Sequence, residues 1–438
     1  MKQINIPDLI ETQYKSYSMY VLESRSICNI LDGLKPVQRR ALYSATKLCK
    51  NDFVKVTKLA GYTMQFHPHG DTAISDAICN MAQRFSAATN VNYFDGKGAF
   101  GSKISGPGNA IASPRYVAVK LNDNFEKIMY TDYELIEMQP SYDGCDSEPK
   151  TFLPLLPSIL LNPISGIAVG FACDILPRKL EDIIHCQLAH LEGKGFREPL
   201  PYFEGFEGEL KKVGDTVYEV RGKFTRSGRK LIITELPIGY NREKYVQILD
   251  TLEENNVITS YTDDCTKSFH FTINLKEEMT DAQIYDKFKL ISNLHENMTV
   301  IWFNGKVKKT TFTEVIQEFT DYRFKLFLKR YKKIFFINKE DFEYKKDLLT
   351  VMVKGLFKKF PDMNKEEIKQ FLLKNDIMEK NIQKIIQTPI YRFGKDEIDS
   401  LRKELIELKK FIENVVKLCK DENLRKDQYK QELKQIKI

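Results

Sequence analysis

Seven apolar residues near the C-terminus, Ile398, Leu401, Leu405, Leu408, Ile412, Val415 and Cys419, follow one another in alternating steps of three and four. This spacing keeps a narrow seam on one side of an α-helix for three heptads, and a seam of that length has to be covered by a second helix. The Lys/Glu-rich stretch from Thr313 to about Phe360 is the candidate partner. Between the two, the chain from Pro361 to Pro389 reads as a small helical knot around which it turns back. An antiparallel two-helix stalk is therefore predicted for the last part of the chain, an element with no chemistry of its own.

The full chain has 438 residues, too many for one hydrophobic core. Three domains are expected, over residues 1–150, 151–311 and 312–438, the middle one a mixed α/β domain. Its strand signals lie at Tyr218 to Val220, Lys230 to Thr234, Phe269 to Leu275 and Thr299 to Phe303, and its helices near Asn241 to Glu254 and Asp281 to Leu294. The net charge of +7, from 67 basic and 60 acidic residues, is too mild to name a polyanionic partner. Local clusters say more: eight Lys/Arg against two Asp between Arg25 and Lys58, and twelve against four acidic residues between Arg323 and Lys359. The eight cysteines form no CxxC or CxxH pair, which argues against a zinc site and a secreted disulfide framework. The N-terminus, MKQINIPDLIETQYK, lacks the apolar core of a signal peptide, so a cytoplasmic location is expected. The uncharged stretch Thr151 to Cys173 is interrupted by Pro154, Pro157, Asn162 and Pro163 and reads as a buried interdomain segment rather than a membrane span.

In the first domain Asp32 and Gly33 make a turn and Pro36 starts a helix, with Val37, Ala41, Ala45 and Leu48 on its buried side and Lys35, Arg39 and Arg40 on other faces. A second helix follows the loop His67-Pro68-His69-Gly70, capped by Asp71 or Thr72. It buries Ile74, Ala77 or Ile78, Met81 and Phe85 and leaves Thr72, Asp76 and Asn80 free. Two short helices around a basic loop, followed by a strand pair, have the order of a winged helix-turn-helix domain. The glycine-rich run Gly98 to Arg115 then delivers Arg115 and Tyr116 to the mouth of a strand over Val117 to Leu121. A phenol can attack a phosphodiester and hold the broken end as a phosphotyrosyl ester, and a neighbouring guanidinium can grip the same phosphate. At a pKa of about 10 the phenol needs positive charge nearby, which Arg25, Lys35 and Arg115 can supply. Side chains at adjacent positions of a regular strand point to opposite faces, so Arg115 and Tyr116 converge only if Pro114 to Tyr116 form a loop or bulge. Two histidines one residue apart could instead share a metal ion, but no third Cys or His stands near them. The glycine run could cradle phosphate or simply turn the chain.

Taken in order, Arg25, Asp32-Gly33-Leu34-Lys35-Pro36-Val37-Gln38-Arg39-Arg40, His67-Pro68-His69-Gly70-Asp71, Asp95-Gly96-x-Gly98-x-Phe100-Gly101-Ser102 and Arg115-Tyr116 form a pattern. It resembles the breakage-reunion subunit of type IIA DNA topoisomerases, the family of the gyrase and topoisomerase IV A subunits. Asn162-x-x-Ser165-Gly166-Ile167-Ala168-Val169-Gly170 and Glu235-Leu236-Pro237 extend the likeness through the middle domain.

The resemblance implies a helix-rich α+β fold with a winged-helix DNA-gate domain, an α/β tower and a coiled-coil stalk ending in a helical exit-gate dimerisation domain. It implies that Tyr116 takes the 5′ phosphate of a cut strand and that Arg115 stabilises the pentavalent phosphate. His69 would contact the transition-state oxygen, while Arg25 and Lys35 hold the scissile segment. Arg39, Arg40, His67, Thr72 and Asp76 would lie along DNA, and Ile167 would wedge into it. The family works on double-stranded DNA as an ATP-dependent type II topoisomerase that makes a transient double-strand break. No Walker A sequence, and no glutamate with an Asp-x-Asp, is found here. ATP and Mg2+ are accordingly expected on a partner subunit carrying the ATPase and TOPRIM folds, with two copies of this chain forming the gates. The chain stops after the return helix, where gyrase continues into its wrapping domain. That truncation and the Lys- and Asn-rich composition are most like the bacteriophage members, whose place is the host cytoplasm. Three departures stand out: Gln38 for histidine, Pro163 for glycine, and Pro114 before the Arg-Tyr pair. The alternative reading is a DNA-binding gate or architectural protein of the same fold that does not cleave.

Overall fold

The computed structural model describes Pro7 and residues 10–437, apart from the side chains of Ile390 and Lys395. Part of the N-terminal segment read above for a targeting signal lies outside them. Two compact units emerge, one of residues up to 323 together with 432–438, the other of residues 324–431.

In the first unit the helix Pro36–Leu48 begins as the sequence demands. Proline stands in its first turn, and the Lys35 N–H is satisfied by Gln38 Oε1 at 2.9 Å. Its apolar side is buried through Ala41, Leu42 and Ala45. Arg39, expected on a free face, is instead buried: Nε and Nη2 reach the two carboxylate oxygens of the fully buried Asp32 at 2.6 and 2.8 Å. The same carboxylate accepts the amides of Leu34 and Phe152 at 3.1 and 3.0 Å. Gly33 (φ +64°) lies so close to the Ile159 backbone that a Cβ would stand 2.6 Å from Ile159 Cα. The Asp32 turn thus anchors the continuously buried segment 152–161 within the first unit.

A strand Val54–Lys55 and a helix Val56–Thr63 precede the loop to the helix Asp71–Ala82, so this region holds a third helix that the sequence reading lacks. The N-cap of Asp71–Ala82 is Gly70 rather than Asp71 or Thr72, and Phe85 lies past its end, half-buried. Ile74, Ile78 and Met81 are buried, and Thr72, Asp76 and Asn80 are exposed. Strands Val54–Lys55, Ala118–Leu121 and Phe94–Lys97 make an antiparallel sheet with Ala118–Leu121 in the centre.

Farther along the unit, strands Lys223–Ser227, Lys230–Glu235, Phe271–Leu275 and Ile258–Asp263 form an antiparallel sheet in that order. Leu231, Ile233, Phe271 and Ile273 pack against Tyr245 and Leu249 of helix Arg242–Glu254 and Ile284 of helix Asp281–Lys287. This last helix was expected to reach Leu294, but it stops at Lys287. Lys289 adopts φ 52°, and the Lys289 and Leu290 amides return to the Asp286 and Tyr285 carbonyls at 3.2 and 3.0 Å, a Schellman closure. Ile291–His295 is then free to pair as a strand with Val217–Arg221.

The helix Phe312–Val353 runs on into the second unit, where it meets Lys395–Lys420 antiparallel. Phe327 stacks near Tyr429 with centroids 4.6 Å apart, Lys345 pairs with Glu404 at 3.2 Å, and Leu348 shares a core with Leu401 and Leu405. The seam faces inward: Leu401, Leu405 and Val415 are buried, and Ile398, Leu408, Ile412 and Cys419 half-buried. The return helix breaks at Asp421, whose carboxylate accepts the amides of Asn423 and Leu424 at 2.9 and 3.1 Å and starts a new helix, Glu422–Gln435. Short helices Lys365–Leu373 and Glu379–Ile386 form the knot, tied to the stalk by buried Asp347, which accepts from the Met378 amide at 3.1 Å and Asn381 Nδ2 at 2.8 Å.

Removing one partner of the Arg39–Asp32 pair leaves a buried charge uncompensated. Asp32→Ala is expected to lower the unfolding free energy by about 3–5 kcal/mol, read by denaturant titration.

Candidate active site

Gln83, buried just past the helix Asp71–Ala82, organises the glycine-rich run. Its Nε2 donates to the Phe100 carbonyl at 2.8 Å and its Oε1 accepts the Gly108 amide at 3.0 Å. Gly101 (φ +79°) closes the loop so tightly that a Cβ would lie 2.3 Å from the Asn109 carbonyl oxygen. The chain leaves this loop in a turn over Ser113 to Tyr116, in which the Tyr116 amide donates to the Ser113 carbonyl at 2.8 Å. Pro114 takes the second position of that turn, where its fixed φ suits the geometry, so this departure from the family pattern is compatible with the site. Because 114–116 is a turn rather than strand, Arg115 and Tyr116 do converge: the guanidinium carbon is 5.8 Å from the phenol centroid. Tyr116 is 67% exposed, and its hydroxyl has no hydrogen-bond partner among the described residues. Its carbonyl accepts from Lys55 Nζ at 2.8 Å.

A second cluster surrounds the loop before Gly70. Arg40 makes a bidentate pair with buried Glu148 at 2.6 and 2.8 Å and donates to His67 Nδ1 at 3.0 Å. A guanidinium can only donate, so His67 Nδ1 is the acceptor and the ring proton sits on Nε2. Burial, then the Arg40, His69 and Arg25 charges, push the His67 pKa down to about 4, and this ring is neutral at pH 7. His69 is held by Arg25 Nη2, 3.3 Å from Nδ1, and by the Tyr20 hydroxyl, 3.0 Å from Nε2. Its pKa is also lowered, by burial and by the Arg25 and Arg40 charges. The same Arg25 Nη2 lies 3.5 Å from Nε2, so Arg25 flanks both ring nitrogens of His69.

Lys35 is placed elsewhere. Its ammonium donates at 2.7 Å to the Ser165 carbonyl in the hairpin Ile164–Ala168/Phe171–Ile175. A Cβ on Gly166 would stand 1.9 Å from the Ser26 carbonyl oxygen, so the root of the hairpin is clamped between Ser26 and Lys35. Its far part is bare: Ile167 is 87% exposed, with Val169 and Phe171 exposed near it.

Of the residues singled out from sequence, Arg25 and His69 meet in one cluster, Arg115 and Tyr116 in another, and Lys35 supports the hairpin. Thr72 and Asp76 lie on the open face of their helix, and Ile167 projects freely. Two DNA contacts are corrected. Arg39 is a buried strut, and buried His67 is a neutral support under Arg40 and His69; neither side chain is free to meet DNA. Arg40 is mostly shielded, its donors committed to Glu148 and His67. Gln83, Glu148, Tyr20 and Lys55 were missed. Only Gln83 carried a signal, since it stands four residues after buried Cys79 on the inner side of its helix.

Among the described residues no three His, Cys, Asp or Glu side chains group as metal ligands, and each of His67 and His69 already has Nδ1 against an arginine. These residues do not fit a metal ion. No helix among the described residues is long and apolar enough to cross a membrane.

An exposed tyrosine beside an arginine, a histidine held by arginine, and an apolar hairpin tip on a winged-helix frame point to DNA strand breakage. Residues 25–434 match the family model for the A subunits of DNA gyrase and topoisomerase IV. The chain is 31% identical over 431 residues to the DNA topoisomerase medium subunit of Enterobacteria phage T4, covering 92% of this chain and 93% of that one. It is 30% identical to the DNA gyrase A protein of Rickettsia conorii, over 73% of this chain but only 38% of the gyrase chain. Among solved structures, the Plasmodium falciparum topoisomerase II DNA-binding, cleavage and re-ligation domain superposes with a TM-score of 0.82 at 25% identity, covering 98% of this chain and 64% of that one. The chain belongs to the family of the DNA gyrase and topoisomerase IV A subunits, within the type II DNA topoisomerases.

Because the His67 pKa is lowered on folding, protonation favours the unfolded chain. The stabilisation it gives is complete above the unfolded pKa of about 6.5 and is lost as the pH falls toward 4. Between pH 7 and pH 5 the wild type should lose about 2 kcal/mol more stability than a His67→Gln variant, measured by denaturant titration at each pH.

Proposed function

We propose that this chain is the DNA cleavage and re-ligation subunit of an ATP-dependent type II topoisomerase and that Tyr116 is its nucleophile. The observation that carries the assignment is the outward, unbonded phenol on a turn beside Arg115. The Tyr116 oxygen attacks a backbone phosphorus, a P–O bond to Tyr116 forms, and the bond to the 3′ oxygen breaks. That oxygen leaves with a proton, and the 5′ phosphate stays on the enzyme. Re-ligation is the reverse, so the energy of the broken bond is kept in the phosphotyrosyl ester. Arg115 stabilises the phosphate charge, and His69, held against Arg25, contacts the same developing charge. Lys35 acts by holding the hairpin from which Ile167 enters the duplex as a wedge. Thr72 and Asp76, on the open helix face, line the DNA.

Two copies, joined through the knot at the end of the stalk, make the paired breaks that pass one duplex through another, relaxing and unlinking DNA. A partner subunit brings the ATPase and the TOPRIM fold, and with them ATP and Mg2+. The likeness to the phage T4 protein, which spans nearly the whole of both chains, supports this division and a site of action in an infected host's cytoplasm.

With the partner subunit, Mg2+ and end-labelled plasmid, a detergent stop should leave this chain attached to DNA 5′ ends. Tyr116→Phe should abolish the attachment while keeping duplex affinity within about twofold; attachment that survives the substitution would refute the assignment. Ile167→Ala should leave the melting temperature unchanged, since the side chain is 87% exposed. The DNA bend in the complex should shrink, as read by energy transfer between end-labelled fluorophores.

A further inference from the structure

The strand ladder beside the nucleophile ends before Tyr116. Lys55 is opposite Ala118, and the Val56 amide donates to the Val117 carbonyl at 3.2 Å. The next carbonyl, that of Tyr116, lies beyond the two-residue strand Val54–Lys55, and the Lys55 ammonium reaches it at 2.8 Å. Lys55 is itself exposed, so burial does not explain where its side chain goes.

Resting on the reading of Tyr116 as nucleophile, we infer that Lys55 is a positioning residue for cleavage. It holds the 113–116 turn through the Tyr116 carbonyl and so fixes where the phenol points. Little else does. The phenol hydroxyl has no partner among the described residues, the ring meets the Arg115 guanidinium, and the turn's own closure is the Tyr116 amide to Ser113. A charge-assisted bond to a carbonyl is stronger than a neutral one, and here it acts on the peptide that bears the nucleophile.

Lys55 is also the residue from which the helix Val56–Thr63 starts. At the other end of that helix the Thr63 carbonyl accepts the amides of Phe66 and His67 at 2.9 and 3.0 Å, at the entrance to the loop bearing His69. One side chain therefore ties the nucleophile's turn to the short helix that sets the histidine loop. A displacement of about 1 Å at a reacting atom can cost up to about a hundredfold in rate.

The test uses the holoenzyme reconstituted with its partner subunit. It measures single-turnover cleavage of a labelled duplex at saturating concentration, together with duplex affinity across a salt series. Lys55→Met is expected to slow cleavage about tenfold with affinity unchanged, and Lys55→Arg, which can still donate to the carbonyl, to recover most of the rate. Three results would overturn the inference: cleavage by Lys55→Met at the wild-type rate; a fall in its affinity with a salt slope shallower by about one, which marks a phosphate contact instead; or no rescue by Lys55→Arg. A wild-type enzyme that forms no Tyr116-dependent adduct would refute the reading of Tyr116 itself, and the two failures are distinguishable in one experiment.

Discussion

The buried pair of Asp32 and Arg39 is the interaction on which the DNA-facing part of the molecule is assembled. Asp32 takes two guanidinium bonds and two backbone amides, from Leu34 and Phe152, so one carboxylate joins a turn, a helix and a segment more than a hundred residues away. The Ser158 hydroxyl donates to the Asp32 carbonyl at 2.9 Å, and the missing side chain of Gly33 lets the backbone of Ile159 come close. From this junction the chain continues into the hairpin bearing Ile167, and Lys35, three residues after Asp32, holds that hairpin's root. A buried ion pair gives little net stability against an apolar replacement, but its directional bonds fix one arrangement where a greasy contact would allow several. In a site that has to aim a wedge, that specificity is the useful property.

Arginines do the orienting on the histidine side. Arg40 offers only donors, so it turns His67 Nδ1 into an acceptor and leaves the proton on Nε2, while Arg25 flanks both ring nitrogens of His69. Glu148, buried and bidentate, holds Arg40 in place, and Gln139 Nε2 fills a further lone pair at 3.0 Å. Burial and the nearby positive charge lower the pKa of both rings, that of His67 to about 4. An imidazole held by fixed cations needs little reorientation to meet charge developing on a phosphate oxygen, the role proposed for His69.

How much of this could be read from the sequence depended on the kind of signal. Pro36 and the apolar spacing behind it specify a helix locally, and the seam from Ile398 to Cys419 specifies a partner helix, because both patterns are periodic. The turn at Pro114 to Tyr116 followed from stereochemistry, since adjacent strand residues cannot meet. Arg39 was misread because a charged residue at helical spacing looks solvated unless its buried partner, here seven residues earlier, is known. The helix Val56–Thr63 was missed because its eight residues include two threonines, a valine and Gly61, a composition with weak helix preference. The end of Asp281–Lys287 depends on a single left-handed residue, Lys289, which nothing in its side chain announces. In the site, Tyr116, Arg115, His69 and Arg25 were singled out through the family motifs, since an Arg-Tyr pair alone says little by residue type. Gln83 and Lys55 lie outside those motifs and act on backbone carbonyls 17 and 61 residues away, which leaves little mark in the sequence.

The two DNA-facing devices differ in the same way as their tasks. The proposed wedge has to push, and it sits on a two-stranded hairpin whose root is pinned by Gly166 and Lys35 and whose tip turns over two residues, Val169 and Gly170. The proposed nucleophile has to form and release a bond repeatedly, and a phenol packed into a core could do neither. Buried tyrosines show the cost: burial drives the pKa of Tyr43 up to about 12 and that of Tyr245 well above its usual value. Tyr116 stands in solvent on a turn. The consequence is that its direction must be fixed through its backbone, by the Ser113 turn on one side and the Lys55 ammonium on the other, rather than through its ring.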